Sequence, residues 1–215
     1  MTRRCKSHYA WSRRTRAALV GICLTGAALL VGLDRGLVAP QWSRPAAARR
    51  QAVATDFARY HEQQFSVVHV VDGDTLHLGV ADAAGPVTTV RLLGIDTPEL
   101  GGGGKEPMYF GREAAARAKK LALGQQVRIY LDERAGSRDR YDRLLAYVEL
   151  PDGPFLNEQL LLGGYAYADL RFRHSYYQKY QQLEASARAL QEGLWAHVTP
   201  EQMPPWRQKR QPVDE

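Results

Sequence analysis

From Phe65 onward the apolar residues come in short β-branched runs, FSVVHVV (65–71), TLHLGV (75–80) and VTTVRLLGI (87–95). Asp-Gly and Ala-Ala-Gly-Pro turns separate them, and runs of this length between turn residues predict three consecutive strands. The texture then changes. Residues 106–123 are alanine-rich, carry Lys119 and Lys120 near the end and are followed by Gly124, which predicts a helix with its usual stop. Strands are expected at Gln126–Leu131 and Leu144–Leu150, the second running into a Pro-Asp-Gly-Pro turn, and helices at Leu156–Leu162 and Tyr176–Glu192.

The order β-β-β-α-β-β-α-α describes an α+β domain. Five strands, one helix inserted after the third and two helices at the end are the arrangement of a small Greek-key β-barrel of the oligonucleotide-binding (OB) class. Such barrels host many activities, so function has to come from the site.

Upstream the pattern is different. Residues 1–16 are basic, Ala17–Leu33 is a run of 17 residues without a charge, and Asp34 and Arg35 close it. As a helix that run is about 25 Å long against a hydrocarbon core of about 30 Å, marginal for a span. Small residues suited to a signal-peptidase cut are spoiled by Leu37 and Pro40, so the run is read as an uncleaved transmembrane or signal-anchor helix. The basic N-terminus then stays in the cytoplasm and the rest lies outside, membrane-anchored, or secreted if the run is cleaved. Residues 34–64 read as a linker with room for one short helix, 65–197 as the folded domain, and 198–215 as a disordered basic tail adding at most a salt-sensitive attraction.

The formal charge of +6 does not describe the folded body. Six of the 29 basic residues lie in the first sixteen positions with no acid among them, which leaves 23 to face all 23 acids. A polyanionic ligand would have to be held by arginines placed by the fold rather than by overall field. Cys5 and Cys23 both precede the body, so no disulfide or cysteine metal site is expected there.

Three segments concentrate the chemistry: VVDGDTLHL (70–78), VRLLGIDTPE (90–99) and DRYDRLLAY (139–147). In order and spacing they resemble the staphylococcal nuclease (thermonuclease-like) family, over about Phe65 to Trp195. The residues also make chemical sense unaided. Asp74 and Asp96 follow or end strands, where rim carboxylates can converge on a hard cation that takes oxygen ligands. Arg91 and Arg143 offer planar forks that grip phosphate oxygens. With Glu99 they suit phosphoryl transfer. The bland alternative is a set of rim carboxylates with arginine salt-bridge partners.

The resemblance implies more. It implies calcium held by Asp74, Asp96 and the backbone carbonyl of Thr97, with Asp72 in support. Glu99 would orient or deprotonate water, and Arg91 and Arg143 would clamp phosphate. The implied function is a calcium-dependent endonuclease acting on DNA or RNA and leaving 3′-phosphates, with nucleic acid as its partner; a monomer is expected. The rivals are a catalytically silent OB module that binds nucleic acid and a membrane-anchored adaptor.

Asp142 departs from the family, standing where founding members have glycine. Gly101–Gly104 read as a mobile stretch after Glu99. His69 and His77 alternate with apolar residues and read as structural. Tyr165, Tyr167, Phe172, Tyr176 and Tyr177 are candidates for base stacking, although core packing suits most of them better, and Arg171 and Arg173 for extra phosphate contacts.

Overall fold

The computed structural model describes residues 45–209 apart from residues 84, 103 and 105. Residues 1–16, the expected membrane segment 17–33 and residues 210–215 lie outside the described residues; among the described ones no helix is long and apolar enough to cross a membrane.

The expected barrel is present. Strands β1 (Gln63–Val70), β2 (Thr75–Leu78), β3 (Thr88–Leu92), β5 (Gln126–Tyr130) and β6 (Leu144–Glu149) close in the order β1-β2-β3-β6-β5. All neighbours are antiparallel except β3 and β6, which run parallel with Arg91 opposite Leu145. Alternate residues point inward, so Leu76, Leu78, Val90, Leu92, Val127, Ile129, Leu144, Ala146 and Val148 fill the interior. Helix α2 (Gly111–Ala122) sits between β3 and β5, and α3 (Leu156–Leu162) and α4 (Tyr177–Ala189) follow β6. Helix α2 starts later than the sequence suggests because Phe110 takes a left-handed conformation, φ 66°, just before it.

Three features differ from expectation. The run 87–95 is not one strand: Gly94, with φ 78°, turns the chain, and Ile95–Asp96 becomes a separate short strand, β4, paired with β7 (Tyr167–Ala168). A side chain at 94 would collide with the His174 ring, its Cβ falling 2.4 Å from Cε1. Only glycine suits that combination of turn and close approach.

Second, the stretch read as a linker holds a 15-residue helix, α1 (Ala46–Tyr60). Its surface is largely polar, but Asp56 and Tyr60, one turn apart, are buried, and Tyr60 shares a hydrogen bond with Thr88 on β3 at 3.1 Å. Two anchor residues were too few to register as a periodic apolar face.

Third, the described part of the C-terminal tail is docked. A 3₁₀ turn (Pro200–Gln202) and a short helix, α5 (Pro205–Gln208), follow a 3₁₀ turn at Gly193–Ala196. Met203 joins Tyr167, Ala187, Leu194 and Trp195 in a second apolar cluster, with Trp206 against it. Arg207 is ion-paired with Glu184 and so is not free to attract a polyanion. Prolines at the first positions of both short elements start them without wasting an N–H.

Candidate active site

The site lies where the β1–β2 turn, the middle of β3, β4 and the loop before β6 meet. Thr75 is the register partner of Arg91, which sets the Asp72-Gly73-Asp74 turn beside that arginine. The Asp74 N–H donates to Asp72 Oδ1 at 3.0 Å, an Asx turn. Gly73 lies flat on Thr97, where a Cβ would fall 2.6 Å from Oγ1, and the Thr97 N–H donates to Asp74 Oδ2 at 2.8 Å. Two segments over twenty residues apart are thus locked together through Asp74.

Arg91 is the hub. Its side chain is 13% exposed; Nη1 faces the Asp74 carboxylate and Nη2 lies 2.6 Å from Asp96 Oδ1. The contact of Nη1 with Asp74 is an ion pair, and Nη1 itself is buried. Both carboxylates are themselves largely buried. Burial first, and then the neighbouring Asp74 charge, raise the pKa of Asp96, although Arg91, Trp206 and Arg171 pull it down. For Asp72, burial and Asp74 push the carboxyl up to about 7.

Glu99 stands at the solvent end of the same segment. Partial burial of its carboxyl, followed by Asp74 and Asp96, raises its pKa, while Arg91 and Arg143 act the other way. Its backbone is fixed from α2: the Met108 N–H donates to the Glu99 carbonyl at 2.9 Å, and Gly111 packs so closely that a Cβ there would fall 2.4 Å from that oxygen. Gly101, Gly102 and Gly104, which follow Glu99, all take positive φ.

Arg143 is held separately. Asp139 takes its Nε at 2.8 Å and its Nη2 at 2.6 Å, and also accepts the Arg143 N–H at 3.0 Å. This leaves Nη1 for another ligand. Asp142 adopts φ 63°, the left-handed region natural to glycine and tolerated by aspartate, so the substitution keeps the turn.

The structure therefore brings Asp72, Asp74, Arg91, Asp96, Thr97 and Glu99 together, with Arg143 close enough to act on Glu99. Three participants were not assigned from sequence. Asp139 orients Arg143. Asp169 pairs at 2.8 Å with Arg171, the candidate for an extra phosphate contact, which itself lies 3.3 Å from Asp96 Oδ1. The third is Trp206, whose Nε1–H donates to Asp96 Oδ2 at 2.7 Å. The sequence signal for Trp206 was an aromatic residue after two prolines in an otherwise polar tail.

Residues 89–197, just over half the chain, match the family described as staphylococcal nuclease homologue. The chain belongs to this family. A thermonuclease of Staphylococcus hyicus is 33% identical over 138 residues, covering 64% of this chain and 78% of the relative. A thermonuclease of Staphylococcus intermedius is 37% identical over 106 residues, 49% of this chain and 60% of the relative. An uncharacterized endonuclease of Escherichia coli O157:H7 is 32% identical over 146 residues, 65% of this chain and 80% of the relative.

Within this staphylococcal nuclease homologue the aromatic candidates separate by burial. Tyr167 is fully buried, edge-on to Trp195 at 5.4 Å. Tyr176 stacks on Tyr180, Tyr165 packs on Phe110, and Tyr177 lies beneath Arg173. Phe172, 64% exposed, alone among the five presents its ring openly to solvent. His69 and His77 face each other across β1 and β2, their rings 5.4 Å apart.

Proposed function

We propose that this chain is a calcium-dependent nuclease that hydrolyses phosphodiester bonds of DNA or RNA and leaves 3′-phosphates. Family membership and relatives named thermonuclease and endonuclease support the nuclease reading. The observation that carries it is one buried guanidinium, Arg91, gripped by Asp74 and Asp96, with Glu99 and Arg143 at its mouth.

The donor set suits calcium. Asp74, Asp96 and the Thr97 carbonyl are all oxygen donors, which a hard cation of flexible coordination accepts, with water completing the shell. Among the described residues no three His, Cys, Asp or Glu side chains stand in metal-holding geometry, so the reading rests on two carboxylates with the Thr97 carbonyl as the third protein oxygen. Burial first, and then the charge of their neighbours, raises the carboxyls of Asp72, Asp96 and Glu99, and a divalent cation among these carboxylates would offset the crowding of negative charge. When bound, calcium supplies Lewis-acid stabilisation of charge on a phosphate oxygen.

The protein's own groups do the rest. Arg143 Nη1, which Asp139 leaves over, presents a donor to the phosphate, and the Arg91 guanidinium adds its positive charge from between the two carboxylates, so that both stabilise charge as the phosphorus becomes five-coordinate. Glu99, a stronger base than an ordinary carboxylate because its pKa is raised, accepts the proton of the attacking water.

Cleavage of a labelled oligonucleotide by the purified protein is expected to require calcium, to fall sharply with magnesium and to stop with chelator. Magnesium demands a tighter octahedral shell and releases its water less readily. Asp74→Ala should abolish the metal response. Equal rates in both metals would refute the calcium assignment, and retained binding without cleavage would favour the silent OB module.

We also propose that Ala17–Leu33 anchors the protein with the nuclease domain outside the cytoplasm, on the strength of that run's length, lack of charge and basic flank. The intact protein should partition with membranes and be cut by protease added from outside. A soluble product beginning near Pro40 would show instead a cleaved signal and secretion.

A further inference from the structure

The segment after Trp195 is fastened to the molecule at several independent points. Met203 is 5% exposed within the second apolar cluster. Gln208 closes the segment on itself, its Nε2 donating to the carbonyls of Met203 at 2.7 Å and Glu201 at 3.1 Å. Arg207 ion-pairs with Glu184 on α4, and Glu184 Oε2 in turn accepts the Ala168 N–H of β7 at 2.6 Å. Because β7 pairs with β4, with Tyr167 opposite Asp96, this chain of contacts ends on the strand that carries Asp96. The neighbouring residue, Trp206, reaches the same aspartate directly through its indole N–H, and Arg171 covers the indole face with its guanidinium 4.6 Å from the ring centre.

A buried carboxylate with two rotatable bonds needs partners to fix its oxygens. Asp96 Oδ1 is directed by Arg91 and Arg171, which leaves Oδ2 to Trp206. An oxygen with two lone pairs that accepts one N–H keeps the other for a cation, and a rigid indole fixes which one that is. The contact joins residues 110 positions apart. It is absent from the chemistry of the three motif segments, all of which end before residue 148.

We propose that Trp206 is a positioning residue of the active site: docked by the C-terminal segment, its indole N–H orients Asp96 for calcium. This rests on the calcium reading above and assigns a task to a part of the chain beyond the three motifs. Trp206 touches neither substrate nor the reacting atoms. Its effect is on how firmly the cation is held, and the C-terminal segment is thereby part of the site rather than an appendage.

The test uses the full chain and calcium alone, without nucleic acid. Calcium that binds the folded state raises the melting temperature by an amount that grows with the logarithm of its concentration relative to the dissociation constant, so melts across a calcium series report that constant for each variant. Trp206→Phe keeps most of the ring and removes the N–H; it is expected to need about tenfold more calcium for the same stabilisation, as befits a lost hydrogen bond to a charged group. Trp206→His restores a ring N–H and should recover most of that loss. A merely structural role would lower the melting temperature equally at every calcium concentration, and that outcome overturns the proposal. So does tighter binding by Trp206→Phe, which would make the indole a competitor for the cation. Should Trp206→Phe not fold, the wild-type chain labelled with 5-fluorotryptophan decides: the fluorine resonance missing from the Trp206→His spectrum must shift in step with added calcium, and an unmoved resonance overturns the assignment. If the wild type itself gains no stability from calcium, the calcium reading falls and takes this one with it; calcium binding that is indifferent to residue 206 removes this one alone.

Discussion

Arg143→Lys is expected to lower kcat/KM on an oligonucleotide about a hundredfold or more with almost no change in melting temperature, since preorganised donors to a developing oxyanion are typically worth on the order of 3 kcal/mol. Arg91→Lys should lose at least as much activity and also stability. The difference follows from where each guanidinium sits. Arg143 is 29% exposed and, among the described residues, forms its ion pair with Asp139 on the same loop, a pair whose contribution to folding is about 0–1 kcal/mol. Arg91 is buried between two carboxylates that it serves with separate nitrogens. A lysine ammonium is a point charge without the planar fork and cannot align with both. One carboxylate is then left with poorer compensation, at a cost of about 1–3 kcal/mol. At roughly 2–4 °C per kcal/mol for a domain of this size, the Arg91 variant should melt several degrees lower. Steady-state rates with circular dichroism and thermal melts on both variants test this. An Arg143→Lys protein that keeps most of its activity would mean that the clamp is misplaced, and Arg171, already 3.3 Å from Asp96, would be the next candidate.

The motif residues were legible because their chemistry is local. Asp72 and Asp74 share one turn, and Arg91 and Asp96 lie five residues apart around the Gly94 bend. The barrel was legible for a similar reason, since β-branched runs between turn residues declare strands one at a time. What escaped was contact at long range without a period. Strand β7 is two residues long, and only its pairing with β4 makes it a strand. Helix α1 buries two residues in fifteen. Trp206 finds Asp96 across most of the domain, and nothing in the composition of a proline-broken basic tail announces such a contact. A boundary drawn at 65–197 on the motifs and strands would remove both α1 and the segment that carries Trp206.

Arg138→Ala is expected to destabilise the protein by about 3–5 kcal/mol, the usual cost of removing one partner from a buried charge cluster. Arg138 is only 7% exposed in its side chain and binds in four directions. Nε and Nη2 donate to the Asp56 carboxylate of α1 at 3.0 Å each, while Nη1 donates to Asp82 Oδ2 at 3.0 Å and to the Asp142 carbonyl at 2.9 Å. Ser137 adds a 2.7 Å hydrogen bond to Asp56. Alanine at 138 removes a counter-charge that two buried carboxylates share. It also frees the Asp142 carbonyl, next to Arg143, so the loop holding Arg143, the proposed phosphate clamp, should loosen and kcat/KM should fall along with stability. The same cluster gives α1 a task that a linker does not have: it braces the active-site loop from behind through Asp56. A chain beginning at residue 62 should therefore melt markedly lower than one beginning at residue 45. Arg138→Ala should cost less in the shorter chain than in the longer one, because its main partner is already gone; this non-additivity is what a shared contact produces. The decisive comparison is the four melting curves. If removing α1 leaves the melting temperature where it was, or if the two changes simply add, the helix is only the spacer that its polar sequence suggested.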